Sequence, residues 1–291
     1  MAGGRVVLVS GASAGFGRDI VLTLARQGER VFAAIRQVRG KNRERAAEIE
    51  AVAAAEGLAL EVVEIDVTDD ESVKRGVDQV LARAGRIDAL VNNAGFGVLG
   101  PWEMVTIEQA KRQFDTNLFG VLRLCQAVVP NMRTRGDGIV INVSSDAGFG
   151  VLFLESLYAS SKFALEGLTA GMRWELQQFG VRVCLLNPGW YATSFGQGAT
   201  FTEDGPYQAL AEHYKAAHGQ VSHPSPHLHE ITERVVELLD MPDPPLHTLV
   251  GCSEVCLNNV PDAEFERRLF ATYGMEGFRG PWTRSAQPTG S

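Results

Sequence analysis

The chain has 291 residues, and 27 basic against 35 acidic side chains leave a formal charge of −8 at neutral pH. Apolar residues make up 45% and charged residues 21%, which excludes a disordered or fibrous chain, while the acidic balance disfavours nucleic acid and anionic membranes as partners. Glycine is the outlier at 31 residues, and without a collagen-like period it points to local backbone roles.

The first element, Arg5-Val6-Val7-Leu8-Val9, reads as a buried strand and leaves no room for a secretory signal. No stretch of 18 or more apolar residues suggests a membrane span. The four cysteines, Cys125, Cys184, Cys252 and Cys256, are scattered through apolar contexts and read as reduced thiols, so a cytoplasmic location is expected. Further short apolar runs follow at Val31–Ile35, Leu60–Ile65, Ala89–Val91, Ile139–Val143, Val181–Leu186 and His247–Val250. They are too continuously apolar for a sheet with one wet face. Between them lie helical patterns at Asp19–Gln27, Arg43–Glu56, Ser72–Ala84 and Thr106–Val129. Alternation of this kind predicts an α/β fold with a doubly wound parallel sheet of the Rossmann type. A single domain over residues 1–291 is expected. Residues 196–230 break the rhythm with glycine, proline and five of the six histidines, and read as an irregular loop or lid over the substrate, within a stretch of about 190–230. The tail after about 278 reads as frayed.

Strand 1 runs into Ser10-Gly11-Ala12-Ser13-Ala14-Gly15-Phe16-Gly17, with a helix directly after. Glycines at a strand-to-helix turn let the backbone approach a pyrophosphate seated on the helix N-terminus. Where an NAD-preferring site of this type carries a carboxylate after strand 2, this chain has Arg36, followed by Arg39, Lys41, Arg43 and Arg45. A guanidinium can fork onto a 2′-phosphate that a carboxylate would repel, so NADP(H) is favoured over NAD(H). Most of the basic run beyond Arg36 is expected to be a solvated helix start.

Tyr158 and Lys162 stand at i, i+4 on one helix face. An ammonium one turn away favours the phenolate of a phenol whose ordinary pKa is near 10. Ser145 closes a strand thirteen residues before Tyr158. Asn93-Ala94-Gly95 follows another strand, Asn117 lies within a helical pattern, and Pro188-Gly189 with Thr193 follows a third strand. Together these motifs resemble the short-chain dehydrogenase/reductase family in its single-domain branch, with the hydroxysteroid and retinol dehydrogenase-like members nearest. The resemblance covers residues 5–195 and the late strand.

That resemblance implies Tyr158 as general acid or base, Lys162 lowering its pKa and bonding the nicotinamide ribose, Ser145 on the substrate oxygen, and Asn117 holding a relay water. It implies contacts from Gly11, Ser13, Gly15, Phe16 and Gly17 to the dinucleotide phosphates, and from Arg36 to the 2′-phosphate. Asp66 and Val67 would meet the adenine, Asn93, Ala94 and Gly95 the ribose, and Pro188, Gly189 and Thr193 the carboxamide. It also suggests a homodimer or homotetramer.

The apolar run Phe149–Leu154 and the aromatics Trp190, Tyr191, Phe195, Phe201 and Tyr207 are expected to border a lipophilic alcohol, ketone or aldehyde. Packing in the core or at an interface is the simpler alternative for many of them. The histidines lack a metal-ligand pattern, so no metal is expected, though His213 or Tyr214 could reach substrate from a closing lid. Two other readings compete with the oxidoreductase. One is a cofactor-sensing protein without turnover, disfavoured by the complete set Asn117, Ser145, Tyr158 and Lys162. The other is a nucleotide-sugar epimerase or dehydratase, disfavoured by the glycine spacing and the lack of a large C-terminal substrate domain.

Overall fold

The computed structural model describes residues 4–151, 153–189, 191, 205–221 and 228–251. Seven strands, β1 (Val6–Ser10), β2 (Arg30–Ile35), β3 (Leu60–Glu64), β4 (Ala89–Asn92), β5 (Gly138–Val143), β6 (Val181–Pro188) and β7 (His247–Val250), form one sheet in the order β3-β2-β1-β4-β5-β6-β7. Every pairing is parallel. The doubly wound sheet expected from the apolar runs is the one observed.

Alternate residues on each strand feed two separate apolar layers, as the period of two requires. Val7 and Val9 of β1, Val31 and Ala33 of β2 and Ile139 and Ile141 of β5 pack with α1 (Gly15–Arg26), α2 (Arg43–Glu56) and α8 (Leu228–Asp240). Leu8, Phe32, Ala34, Leu90 and Val140 turn the other way, onto α3 (Asp70–Ala84), α5 (Gly120–Arg135) and α6 (Ser156–Leu176). Two buried amides inside this core donate across elements. The Asn92 amide donates to Asn142 Oδ1 at 2.8 Å, and Asn142 donates to Thr169 Oγ1 at 2.9 Å. Such bonds contribute about 1 kcal/mol each, but an orphaned partner would cost more.

Three elements differ from the sequence expectation. Helix α1 begins at Gly15, four residues earlier than its apolar period suggests, because glycines 15 and 17 carry no side chain to register in that period. The continuous helix expected over Thr106–Val129 is divided into α4 (Ile107–Phe114), a π-turn at Asp115–Phe119, and α5, which runs on past Pro130 to Arg135. Residues 196–230 are not irregular throughout. Helix α7 occupies Gln208–Val221, and α8 begins at Leu228; Ala-rich spacing carries α7 where the flanking Gly and Pro suggested a loop. His213 and His218 lie within α7, and His229 lies on α8. Trp190, Thr193, Phe195, Phe201, His223, His227, Cys252, Cys256 and the tail after 278 lie outside the described residues. Among the described residues no helix is long and apolar enough to cross a membrane, and no group of three or more His, Cys, Asp or Glu could hold a metal.

A third apolar cluster covers the carboxyl ends of the strands. Leu99, Ala147, Leu154, Tyr158 and Ala159 pack there with Ala211 and Tyr214 of α7. Leu154 holds a positive φ of 65°, costly for a branched side chain, and its carbonyl accepts from Gly100 N at 2.7 Å. The Tyr214 hydroxyl donates to Glu155 Oε1 at 2.7 Å. Burial pushes the Glu155 carboxyl up to about 8, partly offset by that hydrogen bond. The folded chain thus holds a proton that an unfolded carboxyl with an ordinary value of 4.5 releases. This contribution to stability falls as pH rises from about 4.5 to about 8 and is level above that. Thermal melts between pH 5 and 9 should show wild type losing several degrees relative to Glu155→Gln across that window; a constant difference would contradict it.

Candidate active site

Every residue singled out from sequence, where described, lies at or just beyond the carboxyl end of a strand, or on a helix facing that end. The sheet grows in opposite directions from β1 and β4, so the connections after these two strands diverge and leave a crevice. Its floor is stitched by side chains. The Ser10 hydroxyl accepts the N–H groups of Asn93 at 3.0 Å and Ala94 at 3.1 Å. Asn93 Nδ2 in turn donates to the carbonyls of Ser10 at 3.0 Å and Gly11 at 3.2 Å. Asn93 therefore braces the glycine turn.

The glycines of that turn have steric reasons to be glycine. Gly11 has φ +67°, and a Cβ on it would lie 2.8 Å from Ala94 Cα. A Cβ on Gly17 would lie 2.4 Å from the Gly11 carbonyl and 2.5 Å from Asn93 Nδ2. Gly15 has φ +54°. The helix that follows starts from Ala14 without a side-chain cap and with no acidic residue in its first turn. Its N–H groups and positive dipole end are thus left for an anionic ligand. Ser13 and Phe16 are half-buried on the same turn.

The rest of the expected dinucleotide surface is arranged around this crevice. Arg36 is exposed just after β2 and has no ion pair among the described residues. Asn42 Nδ2 holds the Arg36 carbonyl at 2.8 Å, closing a loop in which Gln37 adopts φ +53°. Asp66 accepts the Thr68 N–H at 3.0 Å and hydroxyl at 2.7 Å. Val67 is buried against Gly120 of α5, where an added Cβ would meet its Cγ2 at 2.8 Å. Gly189 N donates to the Val250 carbonyl at 2.8 Å, which continues the β6–β7 pairing one residue past Pro188. Thr193 lies outside the described residues.

Ser145, Tyr158, Lys162 and Asn117 converge, all buried. The Ser145 hydroxyl donates to Asp146 Oδ1 at 2.9 Å, accepts the Ala147 N–H at 3.2 Å, and is a hydrogen-bond partner of the Tyr158 phenol. Burial pushes the Tyr158 phenol well above its ordinary value, partly opposed by Ser145 and reinforced by the neighbouring carboxyl groups of Asp146 and Glu155. No hydrogen bond joins Lys162 to that phenol among the described residues. The ammonium donates instead to the Val143 carbonyl at 2.9 Å, and Nζ lies 5.8 Å from the ring centroid. Burial brings Lys162 down to about 8, with Glu166 opposing.

Asn117 reaches the site through the π-turn. Its Oδ1 accepts from Phe96 N at 3.1 Å, and its Nδ2 donates to the Phe96 carbonyl at 2.9 Å and to Ser161 Oγ at 3.0 Å. The side chain thus shapes the strand-4 loop, and a Cβ on Gly95 would lie 3.3 Å from Asn117 Oδ1 and 3.9 Å from Lys162 Nζ. Tyr191 is among the aromatics expected to border substrate or to pack. It packs edge-on to Phe16 and donates to Glu230 at 3.1 Å. Phe153 does join the third apolar cluster, facing Tyr214 and His213. Sequence reading missed Glu155, Glu166, Asn187 and His247. The available signals were Glu166 four residues after Lys162, and Asn187 immediately before Pro188.

Gly17→Ala should force the turn apart. A cost of ~1–3 kcal/mol is expected for overpacking of this kind, read as a lower midpoint of urea unfolding and a lower melting temperature. An unchanged midpoint and melting temperature would contradict the assigned packing.

The family model described as "short chain dehydrogenase" matches residues 5–204. The 3-ketodihydrosphingosine reductase of Bacteroides thetaiotaomicron is 35% identical over 199 residues, covering 68% of each chain. Human retinol dehydrogenase 8 is 36% identical over 191 residues; the match covers 66% of this chain and 60% of that relative. A crystal structure of a short-chain dehydrogenase from Streptomyces avermitilis superposes with a TM-score of 0.77 at 31% identity, over 95% of this chain and 100% of that one. Related structures were solved with different cofactors. An actinorhodin polyketide ketoreductase variant carries NADPH (TM-score 0.73, 26% identity, 88% of this chain and 98% of that one). A 3-ketoacyl-(acyl-carrier-protein) reductase from Brucella melitensis carries NADH (TM-score 0.61, 27% identity, 68% of this chain and 80% of that one). With its seven-stranded parallel sheet, its glycine turn and a family match over most of its length, the chain belongs to the short-chain dehydrogenase/reductase family of oxidoreductases.

Proposed function

We propose that this protein is an NADP(H)-dependent oxidoreductase acting on a lipophilic alcohol or carbonyl compound, with Tyr158 as its general acid and base and one domain supplying both cofactor and substrate groups. The observation that carries the reading is the burial of Ser145, Tyr158 and Lys162 beyond the carboxyl end of β5, on the same edge of the sheet as the uncapped, glycine-lined start of α1 after β1. The cradle fits a dinucleotide: Gly11, Ser13, Gly15, Phe16 and Gly17 take the phosphates, Asp66 and Val67 the adenine, and Asn93, Ala94 and Gly95 the ribose. Pro188, Gly189 and Thr193 are assigned to the carboxamide. When bound, the nicotinamide supplies the hydride, and the protein manages position and protons.

A phenol kept neutral by its apolar surroundings is suited to hold its proton until a carbonyl oxygen gains charge. Tyr158 then donates from Oη, while Ser145 turns its hydroxyl proton from Asp146 to the same oxygen. Once the phenolate forms, the Lys162 ammonium favours it over reprotonation from bulk. Asn117 keeps the Phe96 loop in place beside Lys162, next to the path for a relay water. In the oxidative direction the same atoms act in reverse.

Arg36 stands exposed and without an ion pair among the described residues, at the position where a carboxylate would repel a 2′-phosphate. The apolar cluster over Tyr158, built by Leu99, Ala147 and Leu154 with α7, favours a lipophilic substrate. The names of relatives acting on retinol and 3-ketodihydrosphingosine support that class.

With a panel of ketones and aldehydes followed by NADPH absorbance, Tyr158→Phe should lower kcat by about 10²–10⁴-fold while leaving NADPH affinity within about twofold. Full activity in that variant would end the assignment, and cofactor binding without turnover in wild type would favour a sensor. Arg36→Ala should raise the NADPH dissociation constant roughly 10- to 100-fold, the range of a lost charge-assisted hydrogen bond, and change NADH little. Equal losses for both would refute the NADP(H) preference.

A further inference from the structure

Glu166 stands four residues after Lys162 on α6, one turn along the same face. No cofactor or substrate role above uses it. Its Oε1 accepts from Asn187 Nδ2 at 2.7 Å, and the same amide reaches the Ser145 carbonyl at 3.3 Å. Its Oε2 lies 3.1 Å from His247 Nε2. Gly148 packs so closely that a Cβ there would stand 2.6 Å from Oε1. The turn that carries Ser145 is therefore pressed onto this carboxylate. With its side chain only 11% exposed, such a group must be paired to remain ionised.

The charged or titratable groups facing Glu166 among the described residues are Lys162 from its own helix and His247 from β7. Ser144 and Asn187, at the ends of β5 and β6, are neutral. Asp146, on the turn packed against it, acts on Tyr158 and Glu155. Burial raises the Glu166 carboxyl, and Ser144, Asn187, His247 and Lys162 pull it down. Burial lowers Lys162 to about 8, and Glu166 pulls it up. Each charged form is favoured by the other across one helix turn, without a direct ion pair between them.

We propose that Glu166 is a positioning residue of the reaction inferred above, standing as the negative neighbour one turn from Lys162 and anchoring the Ser145 turn through Asn187 and Gly148. The catalytic consequence rests on the oxidoreductase reading; the electrostatic coupling does not. Without Glu166 the ammonium would release its proton closer to neutral pH, and a neutral amine gives the Tyr158 phenolate no charge to face. His247, with its side chain 31% exposed, joins the pair to the surface.

The test uses the full chain labelled with [ε-¹³C]lysine, whose five lysines give five signals, Lys162 being identified by its loss in Lys162→Arg. In Glu166→Gln the Lys162 titration midpoint should fall by about one pH unit, while Glu166→Asp stays near wild type. The alkaline limb of log kcat for ketone reduction should move down by the same amount, with the ketone KM within about twofold. A Lys162 midpoint unmoved in Glu166→Gln overturns the proposal, whatever that variant does to the melting temperature. Should Glu166→Gln fail to fold, wild type decides: its Lys162 signal must carry a second inflection where Glu166 protonates, and a single inflection overturns the coupling. Absence of ketone reduction by wild type counts against the oxidoreductase reading instead, and the Lys162 midpoint still decides the role of Glu166.

Discussion

The divergence of the chain between β1 and β4 is the constraint on which the site depends. A parallel sheet wound outward from two neighbouring strands cannot fill the gap above their carboxyl ends with its own connections. The crevice stays accurate only because Ser10 and Asn93 exchange hydrogen bonds across it. Those bonds hold the glycine turn within van der Waals contact of the loop after β4. Close approach excludes side chains at Gly11 and Gly17, and the same absence of side chains opens the start of α1 to an anion. One geometric necessity thus sets both the packing of the turn and the surface it offers a ligand.

The second theme is burial of titratable groups beside one another. Tyr158 and Glu155 are raised by their apolar surroundings and Lys162 is lowered. In water none of these shifts would exist, because solvent would stabilise each charged form. At the carboxyl end of β5 the charged forms must be stabilised by neighbours, and those neighbours arrive from β6, β7, α6 and α7. The chemistry of the site is therefore a property of the sheet edge and its covering helices together. Polar chains within the core, such as Asn92–Asn142–Thr169, lock the strands and helix that carry these groups.

Much of this was legible along the chain, for identifiable reasons. Strands buried on both faces announce themselves as unbroken apolar runs, and the glycine turn is visible because it sits between a strand and a helix. Tyr158 and Lys162 share a face by helical spacing alone. Helix α7 was not legible, because its Gly- and Pro-rich flanks outweighed a weakly amphipathic interior and its packing surface is the cluster over Tyr158 rather than the main core. The break at Asp115–Phe119 left no mark either, since a π-turn keeps the residues helical in character while rotating Asn117 toward Phe96 and Ser161. Lys162 spoke to Tyr158 in the sequence, yet in the structure its nearest hydrogen-bond acceptor is the Val143 carbonyl.

By itself, the sequence determined the parallel α/β architecture, the glycine turn, the basic position after β2 and the identity of the residues at the strand ends. These follow from local periodicity and backbone freedom, which act over a few residues. Only the tertiary structure decided which charges face one another. Asn187 and His247 meet Glu166 across separations of 21 and 81 residues, and Glu155 meets Tyr214 across 59. Desolvation and hydrogen bonding act through space, so the protonation of Tyr158, Lys162 and their neighbours was settled when the helices closed over the sheet.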